Sequence, residues 1–179
     1  MPVYNPNTHN RHSTRLEGYD YGTEGFYFLT ICCKDRINLF GEIIQSQMIL
    51  NEYGEIVKRH WVETPTLRPN IQLHDYVIMP NHFHAIIEIM VSQTPSLINN
   101  TPVGMPKPTS QTLGSIIRGF KSSVSKEIGD SIWQRNYHDH VIRDEKELEA
   151  IRKYIHNNPI EWHKDINFET LEQRVVGAF

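Results

Sequence analysis

Cysteine is nearly absent, with only Cys32 and Cys33 in 179 residues. Neighbours in an extended segment point to opposite faces, so the two form no useful cross-link and a disulfide framework is excluded. No apolar run approaches the roughly 18 residues of a membrane span. Nor does a basic segment lead into an apolar one near residue 1, so a soluble protein of the reducing cytoplasm with no membrane partner is expected. Excess positive charge is also missing. A formal net charge of -3 argues against a protein that coats long duplex DNA, yet it leaves room for local basic patches, because acidic residues cluster between 139 and 149.

What is present is ordinary in amount and unusual in arrangement. Apolar and charged fractions of 39% and 22% fit one globular domain, large enough to bury a core without metal or disulfide staples. Met79-Pro80-Asn81-His82-Phe83-His84-Ala85-Ile86-Ile87-Glu88-Ile89 alternates from His82 onward, as a strand does. Phe83, Ala85, Ile87 and Ile89 make the core face, and His82 and His84 stand side by side on the other. Two imidazoles at i and i+2 suit one divalent ion. With 10 histidines in the chain the same pattern also arises by chance, so a third ligand is needed to give it meaning.

Taken in order, residues 1–24 show no sustained period and read as an extended arm holding Arg15. Phe26 to Cys32 is aromatic and β-branched on both faces, which predicts a central strand. Short runs at 41–44 and 48–50 predict a small hairpin, and Asn51 an N-cap for a helix to about Glu63, ended by Pro65. Ile71 to Met79 pairs antiparallel with the histidine strand through the Pro80-Asn81 turn. Residues 92–111 carry Pro95, Pro102, Pro106 and Pro108 and read as an exposed loop within the domain.

From Leu113 the period becomes helical, with Gly129 as the stop. Arg118, Lys121, Ser122, Ser125 and Lys126 share its outer face, which is either a solvated surface or a row of phosphate donors. Trp133 to Ile142 is expected to be a strand with a second pair, His138 and His140. That pair lacks the preceding tight turn and ranks as the rival metal site, with His140 a possible lining residue of the cleft. Asp144 and Glu147 predict a helix start, and Pro159 a stop near Asn157. Leu148, Ile151 and Ile155 form its buried stripe, and Tyr154 and Asn158 fall together on one flank.

The chain resembles the single-tyrosine HUH transposases and, within them, the REP-associated tyrosine transposases. The resemblance rests on Arg15-Leu16-Glu17-Gly18-Tyr19-Asp20-Tyr21, Met79 to His84, Gly119-Phe120-Lys121-Ser122, Trp133-Gln134-Arg135, and Tyr154-Ile155-His156-Asn157-Asn158-Pro159. It implies an α+β domain with a central antiparallel sheet of ferredoxin-like or RRM-like type over residues 25–165, followed by a tail, 166–179. It further implies Tyr154 as nucleophile and His82, His84 and Asn158 as ligands of Mg²⁺ or Mn²⁺. The family often has glutamine at the last of these positions. The implied reaction is cleavage and rejoining of single-stranded DNA, hairpin-forming, through a 5′-phosphotyrosine, with Arg15, Arg118, Lys121 and Arg135 on the DNA. Monomer and homodimer both stay open. The other readings are a non-catalytic DNA-binding module on the same fold, and a structural zinc at the histidines. The zinc reading lacks a fourth Cys or His at suitable spacing.

Overall fold

Residues 22–90 and 112–162 are described by the computed structural model. The arm up to residue 21 with Arg15, the loop at 92–111 and the tail at 166–179 therefore lie outside the described residues. The elements are β1 (Gly25–Cys32), β2 (Gly41–Ile44), β3 (Gln47–Leu50), α1 (Glu52–Leu67), β4 (Ile71–Met79), β5 (His82–Ile89), α2 (Leu113–Ile128), β6 (His138–Ile142) and α3 (Glu145–Glu161). Four strands make one antiparallel sheet in the order β4-β5-β1-β6, and β2 and β3 pair as a separate hairpin. Leaving the hairpin aside, the chain runs βαββαβ, and its strands, numbered in sequence, lie 4-1-3-2 across the sheet. This is the ferredoxin-like arrangement expected from the sequence. β1 and β5 are central, and both are buried on both faces.

One sheet face carries the larger core. Tyr27, Leu29 and Ile31 of β1 and Phe83, Ala85 and Ile87 of β5 pack against Val57 and Trp61 of α1 and Ile116, Phe120 and Val124 of α2. The Trp61 ring lies 4.9 Å from Phe83 and 5.2 Å from Phe120. Each such side chain contributes about 1.5–3 kcal/mol by leaving water. The sequence names this face as the core, and it is only half of it. On the opposite face Phe28, Ile86 and Ile142 pack under Leu148, Ile151 and Ile155 of α3, so the histidine face of β5 is a second core rather than a wet surface.

Two helices run past the prolines expected to end them, with Pro65 inside α1 and Pro159 inside α3. A helical proline loses the bond to the carbonyl four residues back and crowds that carbonyl with its ring, at a cost of about 3 kcal/mol. The residue just before each proline, Thr64 or Asn158, is buried and stays helical. The last strand is shorter than expected: β6 starts at His138, and Trp133 meets Cys33 only in an isolated bridge. In β4 a bulge falls between Leu73 and Tyr76, where two residues oppose one on β5. Among the described residues no helix is long and apolar enough to cross a membrane.

Gly54 sits in the first turn of α1, where alanine ordinarily gains about 1 kcal/mol. Here an added Cβ would lie 2.3 Å from the Phe40 carbonyl oxygen, so the gain reverses. Gly54→Ala is expected to destabilise by about 1–3 kcal/mol in urea unfolding. A stabilised variant would show that β2 and β3 yield freely.

Candidate metal and nucleophile site

β5 begins at His82, and the Pro80-Asn81 turn before it fixes that ring as well as the strand. His82 Nδ1 lies 2.8 Å from Asn81 Oδ1, and Asn81 Nδ2 donates to the Arg36 carbonyl at 3.3 Å. The amide is thereby oriented with its oxygen toward the ring. A carbonyl oxygen only accepts, so Nδ1 carries the proton and Nε2 the lone pair. On β1, Thr30 is the register partner of His84, and its Oγ1 lies 2.9 Å from His84 Nδ1. Both rings are thus held by Nδ1 and present Nε2, as imidazole ligands held by an outer shell do.

The two rings are fully buried, 4.5 Å apart between centroids. Desolvation pushes the His82 pKa down to about 3, opposed by the nearby polar side chain of Asn158 and assisted by the Arg36 charge. His84 is driven well below its ordinary value by the same burial and by His82, against hydrogen bonding to the Leu29 backbone. Both are neutral at pH 7.

α3 delivers the other two residues. Asp144 caps it by accepting from the Glu147 N–H at 2.8 Å. Tyr154, half-buried, places its hydroxyl 3.3 Å from His84 Nε2 and its ring edge-on to Phe28, while Phe28 stacks on His84. Asn158, one turn on, is 3% exposed, and its Oδ1 is buried without a hydrogen-bond partner among the described residues. An orphaned buried oxygen costs about 1–3 kcal/mol unless something occupies it. Two neutral imidazoles and this amide oxygen are a donor set that suits a divalent ion and leaves coordination positions open. No third His, Cys, Asp or Glu joins the histidines among the described residues, so a third donor at this place would have to be the Asn158 amide.

The structure thus brings His82, His84, Tyr154 and Asn158 together. The rival pair goes elsewhere: His138 is exposed, and His140 Nε2 donates to Glu147 Oε1 at 2.6 Å, which fastens β6 to the first turn of α3. Arg118, Lys121 and Arg135 line one open groove of about 660 Å³ between α2 and the segment 131–137, with Trp133 and Tyr137. Lys121 is not the loose phosphate donor that its helix position suggests. Its ammonium donates to the carbonyls of Gln134, Arg135 and Asn136 at 2.5, 3.3 and 3.3 Å, and burial lowers its pKa. Sequence reading missed Asn81, Thr30, Phe28, Arg36 and Trp162. The Trp162 ring lies 6.0 Å from His82 and follows Asn158 by four residues, a spacing that could have flagged it.

The family model described as "Transposase IS200 like" matches residues 25–158. An uncharacterized protein of Haemophilus influenzae is 47% identical over 173 residues, spanning 90% of this chain and 95% of that one. A second protein of the same organism, provisionally named a REP-associated tyrosine transposase, is 26% identical over 144 residues, 79% of this chain and 73% of that one. The solved structure of a REP-associated tyrosine transposase bound to a REP hairpin superposes with a TM-score of 0.56 at 19% identity. It covers 84% of this chain and 74% of that one. The fold is that of a transposase domain, and the chain belongs to the IS200-like transposase family. Within that family it resembles the REP-associated tyrosine transposases.

Burial of the neutral rings ties stability to pH. Their folded pKa values lie below the unfolded value of 6.5, so the unfolded chain binds more protons as pH falls below 6.5. Without added divalent ion, His82 therefore removes up to about 1.4 kcal/mol of stability per pH unit between pH 6.5 and about 3, and His84 acts in the same direction. Urea titrations should give a flatter profile for His82→Asn/His84→Asn than for the wild type. Identical slopes would mean that the rings protonate in place.

Proposed function

We propose that this transposase cleaves and rejoins single-stranded DNA through a covalent link to Tyr154, with a divalent ion held by His82 Nε2, His84 Nε2 and Asn158 Oδ1. The observation that carries the reading is the phenol 3.3 Å from His84 Nε2, over two neutral imidazoles and a buried amide oxygen. A phenol with pKa near 10 is a weak nucleophile at neutral pH and needs both a held geometry and charge withdrawn from its target. Mg²⁺ or Mn²⁺ held by these three residues would supply that withdrawal as a Lewis acid, and two imidazoles would favour the softer Mn²⁺.

The chain's own residues do the rest. Phe28 and the Ile151–Ile155 stripe fix the approach of Tyr154 Oη. Its oxygen gives up its proton to solvent and forms the bond to phosphorus as the P–O3′ bond breaks, and the leaving 3′ oxygen takes up a proton, which leaves a 5′-phosphotyrosine and a 3′ hydroxyl. The phosphodiester energy stays in the new ester, so the reverse step requires no nucleotide. Arg118 and Arg135 in the groove bind backbone phosphates, and Lys121 holds the segment 134–136 in the shape that presents Arg135. Arg36, held at its carbonyl by Asn81, adds a cation beside His82. The relative of solved structure binds a REP hairpin, which supports a hairpin-bearing substrate for this chain too.

Incubation with single-stranded hairpin oligonucleotides and Mn²⁺ should yield a denaturation-resistant adduct that mass spectrometry assigns to Tyr154. Tyr154→Phe removes one oxygen and keeps the ring packing, so DNA binding persists while adduct vanishes. An adduct on Tyr137 or Tyr76 sinks the mechanism. Binding without cleavage by the wild type across both ions favours the non-catalytic DNA-binding module. His84→Ala should also weaken Mn²⁺ binding by calorimetry, about 10- to 100-fold by analogy with other disrupted ligand shells. Unaltered affinity would move the ion elsewhere.

For the groove, Arg118→Ala and Arg135→Ala should each weaken binding to all sequences alike and lower the salt slope by about one unit. Lys121→Ala should weaken binding through loss of loop shape, visible as altered protection of the 134–136 amides. Unchanged salt slopes in both arginine variants would make the groove a solvated face.

A further inference from the structure

We propose that Asp75 is a positioning residue that sets the roll of α3, and with it the placement of Tyr154 and Asn158. The inference rests on the reading of Tyr154 as nucleophile. Asp75 lies in the β4 bulge, where His74 and Asp75 together oppose a single position of β5. Alternation along a regular strand would send neighbouring side chains to opposite faces. The bulge turns both toward α3: His74 bonds Glu88 at 2.9 Å, and Asp75 reaches the helix. Asp75 Oδ2 accepts from Arg152 Nε at 3.2 Å, and Oδ1 from His156 Nε2 at 2.8 Å. One carboxylate thus grips α3 at two points a turn apart.

Where those points lie on the helix matters most. At about 100° per residue, Arg152 and His156 flank the buried stripe on the side away from Tyr154 and Asn158, roughly 160° around the axis. The stripe of Leu148, Ile151 and Ile155 packs the helix against the sheet, but apolar burial is non-directional and specifies the roll less sharply than a bidentate polar contact does. A clamp on one flank removes that freedom from the other. With side chains reaching about 6 Å from the axis, a roll of about 10° moves the phenol oxygen by about 1 Å. An error of that size can cost about 100-fold in rate. The stability at stake is small, because Arg152 is 30% exposed and Asp75 25%, and exposed ion pairs contribute about 0–1 kcal/mol. Position and stability are therefore separable in experiment.

The full chain is assayed with a hairpin oligonucleotide and Mn²⁺. Measured quantities are the single-turnover cleavage rate at saturation, the oligonucleotide Kd, the melting temperature, and nuclear Overhauser contacts between the Tyr154 and Phe28 rings. Asp75→Ala is expected to slow cleavage about 10- to 100-fold with Kd changed less than about 2-fold, and to weaken the ring contacts. Asp75→Glu keeps the carboxylate and should restore most of both. Glu149→Ala removes a partner of Arg152 on the helix itself, 2.8 Å away, and should leave the rate unchanged. A wild-type rate in Asp75→Ala overturns the proposal. So does a loss of rate that follows melting temperature and is not rescued by glutamate. If the wild type cleaves nothing, the reading of Tyr154 fails, and the ring contacts alone decide whether Asp75 sets the roll.

Discussion

Two imidazoles buried side by side, 4.5 Å apart, coexist only while neither carries a proton charge, and much of the site follows from that constraint. Burial keeps them neutral, and neutrality keeps a lone pair on each ring. Asn81 decides which nitrogen bears it on His82, and Thr30 engages Nδ1 of His84, so both rings turn Nε2 toward α3. None of this holds if the sheet face is open to water, so α3 has to lie across it. The helix that excludes water is also the helix that carries Tyr154 and Asn158. A βαββαβ sheet has helices on one face only, and the added helix both completes the core and furnishes the site.

The fold was legible because its signals are local. Alternation at His82–Ile89, the helical period from Leu113 to Ile128 with the left-handed Gly129 cap, and Asn51 and Asp144 as N-caps all stand where the sequence puts them. The second core was not legible. Whether the outward face of a strand meets water or another helix depends on where a segment some 60 residues later returns. Ile86, an apolar residue among histidines, hinted at it, as did the two-sided apolar pattern of Phe26 to Cys32 and the stripe of Leu148, Ile151 and Ile155. The grouping of His82, His84, Tyr154 and Asn158 was named through family resemblance and flank geometry. Their second contacts, at Asn81, Thr30 and Asp75, depend on strand register and a bulge, neither of which single-sequence periodicity encodes.

The continuation of α3 through Pro159 has a direct consequence for the site. Had the helix stopped at Asn157, as the residue before a proline usually favours, Asn158 would have left the helical flank. Its amide oxygen would then have no reason to share a side with Tyr154. Instead Asn158 stays helical and buried, and the helix reaches Glu161, which brings Trp162 over His82. Asparagine is a short side chain, one methylene shorter than glutamine. A helix that remains regular past the proline keeps the shorter side chain close.

The two His-x-His pairs show why a motif has no meaning before its strand has a place. Across the sheet, Thr30 is the register partner of both His84 on β5 and His138 on β6, so one row holds a member of each pair. The difference lies in the strand. β5 is central and covered on both faces, so its rings are stripped of water and shift far from ordinary imidazole behaviour. β6 is the sheet edge, where His138 stays exposed and His140 meets a carboxylate that would compete with any ion for it. Identical spacing therefore yields a candidate ligand pair in one strand and, in the other, a tie that fastens the start of α3. That tie acts at the first turn and Asp75 acts further along, so the helix bearing Tyr154 is held to both edges of the sheet, β6 and β4.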